Sequence, residues 1–145
     1  MAEKYDLALM IIDIILAEIP KHVKAITLKA DIFEHLEKYD DAIITANQAL
    51  SIDPNCIEAF CVLSNSYEGL RHWQKVIDLS KIIIHHLPND KHWRYDFALF
   101  SKANACLEMG NLQEAEKIIV EFENGNNRTQ GLAQRLRNKM NDVTA

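Results

Sequence analysis

The stretch KYDDAIITANQALSIDP, residues 38–54, decides the fold. Ala42, Ala46 and Ala49 recur at the spacing that places side chains on one face of an α-helix. Asp40 and Asp41 stand at its start, where negative charge complements the positive end of the helix dipole. Pro54 ends it, because proline lacks an N–H to donate and restricts the residue before it. The pattern predicts a helix over 39–51 with a stripe of small side chains.

Working outward, the same stop recurs. Pro20, Pro54 and Pro88 are spaced 34 residues apart, and each closes an apolar helical run: LMIIDIILAEIP, ANQALSIDP and LSKIIIHHLP. Three stops at one period mean one unit used repeatedly. With Val23 as position 1, Ala30 falls at 8, Phe33 at 11, Leu36 at 14, Tyr39 at 17, Ala42 at 20, Ala46 at 24 and Ala49 at 27. With Ile57 as position 1, Phe60 falls at 4, Leu63 at 7, Ser64 at 8, Tyr67 at 11, Trp73 at 17, Val76 at 20 and Ile83 at 27. A third unit counts from Asp96, with Ala103 at 8, Cys106 at 11, Gly110 at 15, Leu112 at 17, Ala115 at 20 and Phe122 at 27.

This register resembles the tetratricopeptide repeat, in which small residues at 8 and 20 let two helices cross closely and large residues fill the space between units. The resemblance spans residues 4–124 and implies an all-α fold, a right-handed α-α superhelix of about eight helices. It implies one domain over 1–145: a half repeat at 4–20, repeats at 23–54, 57–88 and 91–124, and a capping helix at 129–140. The expected helices are 4–18, 22–36, 39–51, 56–69, 73–86, 90–108, 112–123 and 129–140, with no strand. Lys29 and Lys102 at position 7, and Ser80 and Ile119 at position 24, depart from the pattern. The third unit lacks a closing proline, and Gly125 is expected to end its last helix in the left-handed conformation. Five inserted residues, 91–95, are expected to lengthen its first helix. Leu132, Leu136 and Met140 give the last helix the apolar spacing of a solenoid cap.

Composition narrows the function. Net charge is −5, which argues against a general nucleic-acid binder. Residues 126–145 carry Arg128, Arg135, Arg137 and Lys139 against Asp142, a basic end on an acidic body. Cys56, Cys61 and Cys106 form no CxxC pair, so a reducing, cytoplasmic compartment is expected. The apolar run Leu7–Ala17 is broken by Asp13 and is too short for a bilayer, so no membrane association is expected. No nucleophile–base pair or nucleotide loop is present, the histidines (His22, His35, His72, His85, His86 and His92) form no metal motif with carboxylates, and no enzyme, metal or cofactor is expected.

The resemblance implies a protein-interaction module, an adaptor or scaffold, whose first helices line a concave groove for a partner peptide. The groove positions hold Lys24, Thr27, Asp31, Glu34 and His35, then Glu58, Cys61, Val62, Asn65 and Glu68, then Phe97, Phe100, Ser101, Asn104, Leu107 and Glu108. The acidic members favour a neutral-to-basic segment, and Trp93 and Tyr95 extend an aromatic set with Phe97 and Phe100 that suits interface anchoring. Chaperone-binding members clamp a carboxylate with cations. Thr27, Asp31, Val62, Phe97 and Ser101 stand at those places, so acidic chaperone tails are not expected ligands. Two alternatives are a small chaperone for secreted or assembling proteins and a fragment of a larger repeat protein or enzyme. The first helix is apolar nearly all round, and Leu9, Ile11, Ile12 and Ile15 are expected to form a homodimer face.

Overall fold

The computed structural model describes residues 2–87 and 93–145, with the side chains of 2 and 3 left aside. Pro88 and the inserted residues Lys91 and His92 lie outside the described residues. Among the described residues there are eight α-helices and no strand. They group into two compact units, Met1–Arg71 and His72–Ala145.

The first unit holds α1 (Ala2–Glu18), α2 (Val23–His35), α3 (Tyr39–Ile52) and α4 (Ile57–Gly69). Helix α2 starts at His22, whose Nδ1 accepts the Ala25 N–H at 3.1 Å and so satisfies one of the orphan donors of the first turn. The small stripe behaves as its spacing predicts: Ala30, Ala42, Ala46 and Ala49 are fully buried where α2 meets α3. Ile12 of α1 packs with Ala25 and Ile32 of α2, flanked by Tyr5, Ala8, Leu9, Leu16 and Leu36. A Cβ on Gly69 would run into the Tyr39 ring, so the last turn of α4 approaches α3 only because that residue has no side chain.

The second unit holds α5 (Trp73–His86), α6 (Trp93–Glu108), α7 (Leu112–Glu123) and α8 (Asn127–Thr144). Ala103 and Ala115, at positions 8 and 20, are fully buried between α6 and α7, and Ile119 and Phe122 fill the adjacent layer. Helix α6 starts at Trp93, so the described part of the insertion lengthens the first helix of the third repeat. Asn111 and Asn126 cap α7 and α8 through their side-chain oxygens.

Both lysines at position 7 find carboxylates. Lys29 reaches Asp13 at 2.6 Å and Lys102 reaches Glu114 at 2.6 Å, so each stem covers apolar surface while its charge is paired. The expected role of Gly125 is corrected. Among the described residues the glycine with positive φ is Gly110, at +75°, whereas α7 ends at Asn124 in right-handed geometry. Gly125 instead leaves room for Thr129, whose hydroxyl donates to the Phe122 carbonyl at 3.0 Å.

Candidate partner-binding site

In the first unit the candidate face is carried by α2 and α4, which touch. Asp31, Glu34 and His35 are spaced i, i+3 and i+4, so they share one side of α2. Their ligand-type atoms all lie within 4.8 Å of one another. His35 Nδ1 donates to the Asp31 carbonyl at 2.8 Å and lies 3.2 Å from a Glu34 carboxylate oxygen. That backbone bond, together with Asp31 and Glu34, raises the imidazole pKa against a smaller opposing effect of burial. Burial raises the Glu34 pKa, opposed by His35 and by a hydrogen bond from Asn65 of α4. Asn65 therefore ties the two first helices together at the predicted face. The expectation that the histidines stand apart from carboxylates fails at His35. Its i, i+4 relation to Asp31 was the available signal.

The remaining predicted residues of this unit divide. Lys24 and Glu58 are exposed, and Glu68 is partly exposed. Thr27 is not available to a partner. It is buried, and its hydroxyl donates to the Val23 and Lys24 carbonyls of its own helix. Val62 is buried as well.

In the second unit the predicted groove residues of α6 face a helix of the chain itself. The Arg135 guanidinium lies 5.0 Å from the centre of the Phe100 ring. Lys139 Nζ lies 2.5 Å from both Asn104 Oδ1 and Glu108 Oε1. Arg128 pairs with the buried Asp96 at the start of α6, and Arg137 bridges Glu116 and Glu123 of α7. Each basic residue of α8 thus has an aromatic or acidic partner on α6 or α7. Phe97 is partly buried, Ser101 and Leu107 are buried, and Trp93 is exposed beneath Arg94.

The predicted self-association face is corrected in phase. Ile12 is buried against α2 and Leu9 packs beside it. Ile11 and Ile15 are exposed as expected, and the outward side is completed by Leu7, Met10 and Ile14. Steps of 100° per residue turn positions 9 and 12 inward when 7, 11 and 14 face out.

Cys56 and Cys106 are buried, and burial pushes both thiols up, away from the reactive thiolate. Among the described residues no helix is long and apolar enough to cross a membrane.

Residues 23–56 match the tetratricopeptide repeat family. No curated protein matches the sequence. Among solved structures, the one described as "MamA MSR-1 C2" superposes with a TM-score of 0.63 at 18% identity, covering 94% of this chain and 69% of that one. At that identity the likeness shows the fold alone.

Proposed function

The chain is a tetratricopeptide-repeat protein, a protein-interaction fold, and from that premise we propose that the α2–α4 face of its first unit binds an extended, neutral-to-basic segment of a partner protein. The observation that carries this reading is Glu34. Its carboxyl is partly buried beside Asp31, and its pKa is held up by burial despite His35 and Asn65. An ionised carboxylate in that state is under-compensated, and an incoming Lys or Arg would relieve it. Asp31 and Glu58 extend the same negative character over exposed surface.

The second unit supports the chemistry. There a basic helix of the chain itself is seated on groove positions, with Arg135 over Phe100 and Lys139 on Asn104 and Glu108. Groove residues of this fold therefore accept cationic side chains from a packed polypeptide. In the first unit, Asn65 adds an amide where a bound backbone would need a hydrogen-bond partner.

Calorimetry against an array of peptides graded in net charge tests the proposal. Basic peptides are expected to bind, and Asp31→Asn with Glu34→Gln is expected to weaken them at least tenfold at low salt. Affinity unchanged in that variant, or a preference for acidic peptides, would overturn it.

A further inference from the structure

The outward side of α1 carries Leu7, Met10, Ile11 and Ile14, each more than half exposed at 58%, 63%, 51% and 65%. Ile15 and Ile19 adjoin them at 37% and 54%. Together they make an apolar patch on the order of 600 Å², at the upper limit of what monomers leave wet. A standard interface buries about 800 Å² on each partner around an apolar centre. The patch supplies that centre, and the flanks of the same helix supply the rim.

Charge selects the occupant. Lys4 and Glu18 are exposed at opposite ends of α1, and each is seven residues from Ile11. They therefore lie about 10 Å to either side of it along the axis. Seven steps of 100° come to within about 20° of two full turns, so both lie nearly in line with Ile11, at the two ends of the outward side. Two copies of α1 crossing antiparallel at Ile11 would set Lys4 against Glu18 of the second copy at both ends. Leu7 would meet Ile15, and Ile11 would meet Ile11. A parallel pairing would instead oppose Lys4 to Lys4 and Glu18 to Glu18.

We infer that the outward face of α1 is a two-fold interface with a second copy of this chain, the helices antiparallel and centred on Ile11. This surface is separate from the α2–α4 face, and neither proposal depends on the other.

Sedimentation equilibrium of the full chain at tens of micromolar tests the inference. The expected mass is twice the 16.6 kDa of the chain. Met10→Glu with Ile14→Glu should give the single mass with an unchanged helical spectrum, because both side chains face water. Lys4→Glu should weaken the dimer several-fold, and adding Glu18→Lys should restore it, which a parallel pairing would not do. A wild-type chain that remains monomeric overturns the inference, as does a dimer indifferent to Met10→Glu with Ile14→Glu. A monomer that partitions onto anionic lipid vesicles would overturn it in favour of a membrane surface.

Discussion

Replacing Glu37 by glycine is expected to stabilise the protein. The turn between the two helices of a repeat places position 15 in the left-handed region three times: Glu37 at φ +58°, Arg71 at +59° and Gly110 at +75°. The hydrogen bonds explain why the conformation persists. Glu37 N–H donates to the Glu34 carbonyl at 2.9 Å and Lys38 N–H to the Phe33 carbonyl at 2.9 Å, the pattern that closes a helix C-terminus. Gly110 and Asn111 repeat it on Leu107 and Cys106, at 3.1 and 2.8 Å. Only the third copy of this turn uses the residue that adopts it without strain. An L-residue there costs roughly 1–2 kcal/mol. Glycine gives back roughly 0.5–1 kcal/mol through its freer unfolded chain. The net gain for Glu37→Gly is about 0.5–1 kcal/mol. With a urea slope of roughly 1–2 kcal/mol/M, the midpoint should rise by about 0.5 M. Glu37→Ala is the control, since it removes the exposed side chain and keeps the strained backbone. Gly110→Ala is the converse and should lose about 1 kcal/mol. No atom lies within 4 Å of its new Cβ, so the loss would be conformational. Equilibrium urea unfolding followed by circular dichroism reads all three. A Glu37→Gly midpoint at or below that of Glu37→Ala would refute the reasoning.

Two further outcomes follow from the same physics. Ser64 and Ser80 are fully buried, with hydroxyls that have no hydrogen-bond partner among the described residues. Ser64→Ala and Ser80→Ala should each stabilise by about 1 kcal/mol, and a lowered urea midpoint would contradict this. His35 should titrate above the ordinary imidazole range, because the Asp31 carbonyl and the Asp31 and Glu34 carboxylates favour its charged form. The stability it adds is complete below about pH 6.5 and is lost as pH rises through its folded pKa, so His35→Gln should flatten that limb of a stability-versus-pH curve. An NMR titration placing the ring at or below its ordinary pKa would contradict it.

The fold was legible because its steric demand is local and periodic. Positions 8 and 20 hold Ala30, Ser64, Ala103, Ala42, Val76 and Ala115, and all six are fully buried. A single register read from three prolines therefore fixed which faces meet. The faces that meet solvent or a partner were less legible. Helix α1 is apolar nearly all round, so no polar edge in the sequence fixes its phase, and nothing in the spacing alone tells that Leu9 and Ile12 pack on α2. Thr27 sits at a groove position, yet its hydroxyl turns back onto its own helix, a choice of rotamer that spacing does not encode. Lys29 and Lys102 read as departures because their partners, Asp13 and Glu114, stand 16 and 12 residues away. Their long side chains reach those partners only once the helices have packed.

The uneven charge along the chain acquires a structural meaning from α8. The basic residues concentrated after residue 126 are engaged within their own unit: Arg128 with Asp96, Arg137 with Glu116 and Glu123, and Lys139 with Glu108. The second unit thus supplies its own cations to the acids of its repeat. Among the described residues the first unit has no basic helix of this kind, and Asp31 and Glu34 both lie against the His35 imidazole. One imidazole stands against two carboxylates there, so the α2–α4 face keeps negative character that a basic segment can neutralise. Salt offers a direct discrimination. Binding of a basic segment at this face must weaken as ionic strength screens Asp31 and Glu34, whereas the α1 pairing, centred on Leu7, Ile11 and Ile14, must lose only the smaller contribution of its Lys4–Glu18 ends. Two surfaces of one small chain would then differ sharply in their response to salt, which neither a single sticky patch nor a uniformly charged surface would do.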